Sequence, residues 1–537
     1  MGQGRAVTEA TFTRREWLAA SSLALAGCSS RDPEPMPSAW LGARHERGHR
    51  LRSTSPLPAP AVQRKADVLI VGAGIAGLAA ARAFTRAGIA DVQLLELEDQ
   101  PGGNSRGHQL AGMACPLGAH YLPVPSSGPE LREVTEWLYE IGLLKSELGR
   151  TVADERHLCH SPQERLFFDG EWAEGLLPPA EPGSAAARQI QRFAAAIKRL
   201  QGGSNAAHAY CVPAHRGPWS AVHESLNRVT FSNWLDAQGL TDAQLRWYLD
   251  YCCRDDYGAG SDTVSAWAGV HYFASRHGFH APGDGDTERE PVFTWPEGNA
   301  WLAQRLARPF ADRLHAARTV LRVTESRHAV QVLAWDERAA QIEAWTARQV
   351  VLAVPLFIAH RLLESPPTAL QQAAALLTSA PWLVANLHLA TPLLARTGAP
   401  PSWDNVVYGS AGLGYVDALH QSLRPHAGAT VLTAYHALPR SERAALLASD
   451  PATWAERVLR DIEPAHPDIR RRVQRIDLMR WGHAMAIPAP GVQRHPALAA
   501  LRAARGRVRF AHADLAGYSV FEEAFTAGCE VAEGALL

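Results

Sequence analysis

The segment from Asp67 to Glu96 constrains the fold more than any other part of the chain. It reads DVLIVGAGIAGLAAARAFTRAGIADVQLLE, an apolar run, a glycine-rich turn, a helix of small residues and a second apolar run that ends in an acid. Glycines at 72, 74 and 77 permit a tight turn, close approach of the backbone to a pyrophosphate and close helix packing. Gly88 is expected to end the helix in a left-handed conformation. This order predicts a parallel β–α–β unit that binds the ADP half of a dinucleotide.

The glycine turn and the acid predict specific contacts. The helix that follows the turn presents free amides and a partial positive charge to the phosphates. Glu96 is expected at the ribose hydroxyls, which favours an unphosphorylated ribose. The residues expected at the phosphates are Gly72, Ala73, Gly74, Ile75, Ala76 and Gly77.

The first 28 residues have the features of an export signal. Arg14 and Arg15 precede a short apolar stretch, Trp17 to Gly27, that is too short to cross a bilayer as a mature helix. Paired arginines match the address of the twin-arginine pathway, and Cys28 follows as the expected lipid-attachment residue. A basic, disordered N-terminus is the alternative interpretation. We expect a protein of the periplasm or cell envelope, bound to the membrane through a lipid on Cys28.

A proline-rich segment over 29–62 follows the signal. It has prolines at 33, 35, 37, 56, 58 and 60 and few bulky apolar residues, so it cannot bury enough surface to fold by itself. We therefore expect residues 29–62 to form a tether.

Composition excludes several classes of function. The net charge of −1 gives no electrostatic reason to expect a nucleic-acid partner. Six cysteines follow Cys28, and their spacing fits neither a zinc site nor an iron–sulfur cluster, although disulfides are permitted outside the cytoplasm. No lysine follows Lys198. The oligomeric state cannot be read from the sequence.

Two motifs after the acid carry a family resemblance. PGGNSR at 101–106 and LGAHY at 117–121, together with the glycine turn, resemble the flavin-containing amine oxidase superfamily. That superfamily includes monoamine and polyamine oxidases, protoporphyrinogen oxidase and phytoene desaturases. The resemblance implies noncovalently bound FAD, since Cys529 does not match the family's covalent flavin cysteine. It places Gly103, Asn104 and Arg106 near the pyrophosphate, and Gly118, Ala119, His120 and Tyr121 beside the isoalloxazine.

Later segments extend the resemblance to the end of the chain. Residues 319–323 and 329–333 predict a hairpin, with Val323 as a candidate cofactor-binding residue. Residues 349–355 predict a buried strand that similar proteins place near the adenosine. VRFAHAD at 508–514 resembles the family strand whose acid, here Asp514, contacts the ribityl or pyrophosphate region. EEAFTAG at 522–528 resembles the final helix, whose N-terminus points at the flavin pyrimidine in similar proteins.

These segments predict an α/β fold. A Rossmann-type FAD-binding domain, built from residues 63–125, 295–360 and 478–537, is expected to be interleaved with an α+β substrate domain of residues 126–294 and 361–477.

Two departures from the family pattern affect the expected chemistry. Asn104 stands where the family has arginine, so backbone amides, the helix N-terminus or Arg106 must meet the pyrophosphate charge. Amine oxidases commonly hold a water against flavin N5 with a lysine, and Ala385 or Asn386 occupies that place here. The Asn386 amide is the candidate for orienting such a water.

The remaining candidates for chemistry are weaker. Trp481 is a candidate for an aromatic wall over the flavin, with ordinary packing as the alternative. His483 is a candidate base or hydrogen-bond donor, with a structural histidine as the alternative. Arg254, Asp255 and Asp256 are interpreted as a charged loop and not as a metal site.

The sequence is therefore interpreted as an FAD-dependent oxidoreductase that takes hydride from a small organic donor to flavin N5. An amine is the first hypothesis for the donor, with reoxidation by O2 or another acceptor. The alternatives are a desaturase, dehydrogenase or isomerase acting on carbon–carbon bonds, or a flavin-binding envelope protein without turnover.

Overall fold

The computed structural model describes residues 36–125, 128–202, 209–276, 278–279, 291–420 and 428–533. The predicted export signal and Cys28 lie outside these residues. Within them, no helix combines the length and apolar character needed to cross a membrane.

The strands are β1 Ser38–Leu41, β2 Val62–Val71, β3 Val92–Leu95, β4 Gly107–Leu110, β5 Met113–Pro116, β6 Tyr121–Pro123, β7 Leu144–Glu147, β8 Arg150–Ala153, β9 Glu164–Phe168, β10 Glu171–Glu174, β11 Val292–Thr294, β12 Leu314–His315, β13 Arg318–Glu325, β14 Val330–Asp336, β15 Gln341–Leu352, β16 Ser379–Leu389, β17 Asp404–Val407, β18 Tyr415–Asp417, β19 Thr430–Ala437, β20 Val473–Ala486 and β21 Val508–Phe510.

The α-helices are α1 His45–His49, α2 Ile75–Arg86, α3 Arg132–Glu140, α4 Ala185–Gln201, α5 Ala221–Asn227, α6 Phe231–Ala237, α7 Ala243–Tyr257, α8 Ala266–His271, α9 Ala300–Ala307, α10 Leu356–Leu362, α11 Thr368–Leu376, α12 Arg443–Ala448, α13 Pro451–Ile462, α14 Ile469–Arg472, α15 Pro496–Arg502 and α16 Phe521–Glu530.

The first large sheet has seven strands, in the order β12-β3-β2-β15-β14-β13, with β21 also paired to β15. β2 runs parallel to β3 and β15, and its residues Val68–Val71 are buried, as expected for the centre of a parallel sheet. β13 and β14 form the predicted antiparallel hairpin. Gly88 has a φ of 89° just after α2, as predicted. The α/β fold class is confirmed.

The second large sheet has eight strands, in the order β1-β20-β16-β19-β18-β17-β9-β10. Its long central strand β16 pairs antiparallel with β19 on one side and with β20 on the other. The buried side of these strands forms an aliphatic cluster with α13. The domain limit predicted at residue 478 falls inside β20. The whole of this strand belongs to the second sheet.

Helices α2 and α16 cross at very short range on the first sheet. A Cβ on Gly528 of α16 would lie 2.2 Å from the carbonyl oxygen of Ala76 in α2. Only glycine permits this approach, which packs the C-terminal part of α16 against the first turns of α2. The two helices carry the opening and closing motifs of the sequence.

The prediction of a tether over 29–62 is wrong for residues 38–52. These residues form β1, α1 and a 3-10 turn from Arg50 to Arg52. None of the residues in β1, α1 or this turn is fully buried, so the segment has no core of its own. It is ordered by contacts with the body of the protein, which composition alone does not reveal.

The prediction of a charged loop at Asp255 and Asp256 is also wrong, because both residues lie in the last turn of α7. That helix ends at Gly258, whose φ of 69° places it in the left-handed region. The helix continues because its apolar face, including Leu245, Leu249 and Cys252, is buried.

The six cysteines in the described part of the chain, Cys115, Cys159, Cys211, Cys252, Cys253 and Cys529, are free thiols. Burial raises the pKa of Cys115 to about 12, and that of Cys252 also rises well above its usual value. Such thiols are packing residues at neutral pH.

Candidate functional site

A cavity of about 470 Å³ is lined by residues from both large sheets and from α2, α7, α10 and α16. Most of the residues predicted to bind cofactor lie on its wall. These are Gly72, Gly74, Ile75, Ala76, Glu96, Gly103, Asn104, Gly118, Ala119, His120, Tyr121 and Asp514. Trp481 and His483 line it as well.

Glu96 holds the glycine turn in place. Its carboxylate accepts hydrogen bonds from the amide of Ala73 at 2.8 Å and from the amide of Glu98 at 2.9 Å. Burial raises the pKa of Glu96, and these two amides act against that rise. Ala73 itself is not on the cavity wall, and its amide points to Glu96. Glu96 therefore supports the glycine turn, and part of Glu96 also faces the cavity.

The two glycine motifs meet at the cavity. A Cβ on Gly103 would lie 3.2 Å from the Cα of Gly74, and Gly103 has a φ of 57°. Bare backbone at this point leaves room for a group that approaches the amides at the start of α2. This glycine cradle fits the pyrophosphate of a dinucleotide.

Gly77 and Arg106 lie behind the wall rather than on it. A Cβ on Gly77 would be 1.9 Å from the carbonyl oxygen of Gly72, so Gly77 permits the turn to pack on α2. The Arg106 guanidinium lies 3.5 Å from the Glu98 carboxylate and 5.1 Å from the centre of the Trp481 ring. Arg106 therefore braces the glycine pair, and the amides remain to meet the pyrophosphate charge.

Val323 is not on the cavity wall, contrary to the prediction. It is fully buried in the cluster between the sheet and α10, while Thr319 and Val320 line the cavity. A bulge between Val320 and Arg322 changes the alternation of side chains along β13. Because a bulge is not visible in the sequence pattern, the sequence did not show which residues of β13 face the cavity.

Asn104, the residue in place of the family arginine, joins two parts of the wall. Its side-chain amide donates to the carbonyl of Ala484 at 2.6 Å, and its own carbonyl accepts from the amide of Ala119 at 2.9 Å. These contacts fix the Gly118–Ala119 segment against the glycine pair.

Aromatic rings form one wall of the cavity. The rings of His120 and Tyr435 are stacked with their centres 4.4 Å apart, and the Tyr435 hydroxyl donates to the carbonyl of Gly118 at 3.1 Å. Trp403 lies 5.4 Å from His120. Burial lowers the pKa of His120 to about 3, so this imidazole is neutral at physiological pH.

Trp481 and His483 line the cavity from the end of β20. The Trp481 indole donates to the carbonyl of Leu117 at 2.7 Å, so its ring is fixed against the predicted flavin segment. His483 Nδ1 shares a hydrogen bond of 2.8 Å with the Ser379 hydroxyl and packs against Phe357. Burial and nearby arginines lower the pKa of His483 to about 4. Its neutral ring can accept or donate a hydrogen bond at the wall.

Asn386 does not reach the cavity, which corrects the proposed water-orienting role. Its side chain is fully buried, donates to the Pro116 carbonyl at 3.0 Å and accepts from the Thr433 hydroxyl at 2.7 Å. Ala385 points into the aliphatic cluster on the other face of the sheet. Three residues of β16 line the cavity: Ser379 at its start, Trp382 and Val384. Beyond Ser379, this part of the wall is therefore apolar.

Asp514 and the start of α16 close the other side. Asp514 accepts from the amide of Leu356 at 2.8 Å and lies 3.2 Å from His512 Nδ1. Burial alone would raise the pKa of Asp514, but His512 and the Leu356 amide outweigh it and hold the pKa below its usual value. Val520, Phe521 and Ala524 bring the N-terminal turn of α16 to the cavity, as the resemblance implied.

Sequence reasoning missed three contributions to the wall. Gly48 and Leu51 come from the segment that was predicted to be a tether, and Asp255 and Asp256 from the presumed loop. Residues around α10 also line the cavity. Of these residues, only the acidic pair could have been found from the sequence, because two carboxylates at the end of an amphipathic helix suggest a functional role.

Neither a cysteine nor a metal cluster is part of this site in the described residues. The glycine cradle, the buried acid and the aromatic wall fit FAD held without a covalent bond. The fold and the cavity together define an FAD-binding oxidoreductase.

The family model for flavin containing amine oxidoreductases matches residues 75–536. The chain therefore belongs to the flavin-containing amine oxidoreductase family, and it is an FAD-dependent oxidoreductase. Both the resemblance and the cofactor predicted from the sequence are confirmed.

Among curated proteins, the chain is similar to AofH of Mycobacterium tuberculosis, which is named as a flavin-containing monoamine oxidase. The two are 27% identical over 302 residues, 55% of this chain and 58% of the relative. This chain is also 44% identical to Polyamine oxidase 6 of Oryza sativa subsp. japonica over 55 residues, which is 10% of this chain and 11% of the relative. The chain thus matches these relatives over 58% of their length at most.

Solved structures share the fold over most of the chain. A putrescine oxidase double mutant has a TM-score of 0.65 at 20% identity, covering 88% of this chain and 98% of that one. Cyclohexylamine oxidase from Brevibacterium oxydans has a TM-score of 0.63 at 18% identity, covering 87% and 98%. A fatty acid isomerase from P. acnes has a TM-score of 0.57 at 17% identity, covering 87% and 97%.

Proposed function

We propose that the donor is a small amine, oxidised at the carbon next to its nitrogen. FAD, when bound, supplies the hydride acceptor. The observation that carries this proposal is the pair Asp255 and Asp256, which α7 brings to the same cavity as the aromatic wall.

The charge of the cavity favours a cationic donor. Besides burial, the negative charge of Asp255 helps to hold the pKa of Tyr435 well above its usual value, so this carboxylate acts on the aromatic wall. Two of the three histidines of the wall, His120 and His483, are neutral because their pKa values lie near 3 and 4, and the third is His512. An anionic, aromatic cavity attracts an ammonium group and gives it ring faces to pack against.

The same wall supports loss of the proton before hydride transfer. A neutral amine is the reactive donor, and an apolar surface such as Val384 and Trp382 makes a buried ammonium costly. In this proposal the carboxylates of Asp255 and Asp256 attract the protonated donor to the cavity, where a carboxylate accepts its proton. In this proposal the chain positions and deprotonates the donor, and O2 or another acceptor reoxidises the flavin.

A second candidate is oxidation or isomerisation of a carbon–carbon bond. The observation that favours it is the apolar face of β16, where Val384 gives the cavity neither a cation nor a polar atom. The shared fold of a fatty acid isomerase is compatible with it.

An anaerobic titration separates these candidates. Flavin absorption of the holoprotein is followed while cyclohexylamine, putrescine, a polyamine and an unsaturated fatty acid are added singly, and dithionite is used as the control for reducibility. Bleaching by an amine supports the first proposal. Bleaching or product formation with the fatty acid alone supports the second, and reduction by dithionite only would favour a flavoprotein without turnover.

We also propose that the protein is exported by the twin-arginine route and anchored through a lipid on Cys28. The paired arginines and the cysteine after a short apolar stretch support this proposal. Cys28→Ser is expected to lose incorporation of labelled palmitate and to leave the membrane fraction, and unchanged labelling would contradict the proposal.

A further inference from the structure

Residues 37–52, which we call the N-terminal strap, lie ahead of the family match and contact both halves of the protein. At one end β1 pairs in parallel with β20, from Ser38 opposite Ile476 to Leu41 opposite Met479. The Arg480 guanidinium covers the Trp40 ring at 4.6 Å. The strap therefore begins as an added edge strand of the eight-stranded sheet.

The strap leaves that sheet at Gly42. This glycine has a φ of 87°, and a Cβ there would lie 2.2 Å from the sulfur of Met479. The next amide, of Ala43, contacts the same sulfur at 3.3 Å. The turn is built for glycine and directs the chain toward the FAD-binding sheet.

The second half of the strap is held by the loop after the cofactor acid. The Arg44 amide donates to Glu98 at 3.0 Å. Arg47 donates to the carbonyl of Leu97 and to Asp99, both at 2.9 Å. Leu97 lies on the cavity wall directly after Glu96. The strap is thus fixed to the part of the wall where the ribose is expected.

Arg50 ties the end of the strap to the hairpin. It makes two parallel hydrogen bonds to Glu337, at 3.0 and 2.9 Å, and its guanidinium lies 5.1 Å from the centre of the Trp335 ring. Glu337 also accepts from the hydroxyl of Thr319, which lines the cavity. A bidentate pair of this kind fixes orientation as well as distance.

Two residues of the strap reach the cavity itself. Gly48 and Leu51 are on its wall, with Leu51 packed against the same apolar cluster as Val320. We propose that the N-terminal strap is a subsite for the adenosine half of FAD, which it covers, and that release of FAD requires the strap to detach. This inference concerns retention of FAD and does not depend on the identity of the donor.

The test measures loss of FAD from full-length holoprotein. The double variant Arg47→Ala, Arg50→Ala removes the anchors, and Leu51→Ala removes the apolar contact. Arg470→Ala is the matched control, because Arg470 makes a bidentate pair with Glu456 at 2.7 Å in the other half of the protein. Free flavin fluorescence is followed after dilution, and the unfolding temperature of each apoprotein is measured alongside.

We expect FAD to be lost about tenfold faster from the double variant and from Leu51→Ala, given the strength of partly exposed ion pairs, with Arg470→Ala unchanged. Equal rates in all proteins, or an equal gain in the control, would overturn the proposal. If a variant does not fold, amide hydrogen exchange of the wild-type protein tests the proposal instead. Residues 44–52 are expected to exchange more slowly with FAD than in the apoprotein, and identical exchange would refute the subsite.

Discussion

The Asn386 side chain accepts a hydrogen bond from the Thr433 hydroxyl at 2.7 Å, between two neighbouring strands of the second sheet. Its amide nitrogen donates to the carbonyl of Pro116, which directly precedes the Leu117–Tyr121 segment of the cavity wall. Both functional ends of the amide are therefore used behind the wall. Asn386 positions this segment, and the cavity side of the strand is left to Val384.

Restoring a lysine on the cavity side of β16 tests this register. Val384→Lys is expected to fold and bind FAD, with an amine whose pKa is lowered by its apolar surroundings, and to be reoxidised by O2 several-fold faster. Ala385→Lys places the same charge in the aliphatic cluster, where Ala385 is fully buried, and is expected to unfold the protein. Stopped-flow reoxidation and the yield of folded protein measure the two effects. Equal behaviour of the variants would contradict the register.

Replacing Asp255 is expected to weaken donor binding without loss of cofactor. Asp255→Asn removes a negative charge from the cavity, and we expect KM for a bleaching amine to rise about tenfold, equivalent to ~1.4 kcal/mol, with a smaller change in kcat. Asp262→Asn, an exposed residue just beyond the same helix, is the control. Steady-state kinetics measure KM and kcat, and the FAD content of each variant is measured alongside. An unchanged KM would remove Asp255 from the donor site.

Gly528 is expected to tolerate no side chain. Alanine favours a helix by about 1 kcal/mol over glycine, but a Cβ here would meet the Ala76 carbonyl and the Ala80 amide. We expect Gly528→Ala to lose roughly 2 kcal/mol of stability from overpacking and to bind FAD less tightly. Gly428→Ala, where a Cβ would meet open space, serves as the control in thermal unfolding. A stabilised Gly528→Ala protein would show that α2 and α16 can separate freely.

His466 is expected to make stability depend on pH. Burial lowers its pKa to about 4 in the folded protein, where its Nε2 accepts from the Tyr415 hydroxyl at 2.6 Å. The unfolded chain binds the proton near pH 6.5, so stability is complete above that pH and falls as pH drops toward 4.

The difference between the two pKa values corresponds to about 3 kcal/mol. His466→Gln does not titrate and can still accept from Tyr415, so its stability should decline less between pH 7 and pH 4. Urea unfolding at several pH values measures the difference, and parallel profiles for wild type and variant would contradict the assignment.

Much of the cofactor site could be predicted because its determinants are local. The glycine turn, α2 and Glu96 are contiguous in the chain, and the backbone geometry they require permits few other residues. The same holds for the glycine pair with Gly103 and for the start of α16. In these segments the spacing of small residues reports a close approach of backbone to backbone, which the structure contains.

The residues that the sequence misplaced depend on distant partners. Which side of β16 faces the cavity follows from its register with β20 and from the irregularity between Ala380 and Trp382. The strap is ordered by distant partners, such as β20, which pairs with β1, and Glu337, which binds Arg50. Asp255 reaches the cavity because α7 packs against Trp382 at Gly258.

The sequence by itself thus determined the FAD-binding fold, since short-range backbone constraints specify it. The tertiary structure decided which side chains face the cavity and which distant segments close it. Those outcomes depend on packing between segments that share no sequence pattern.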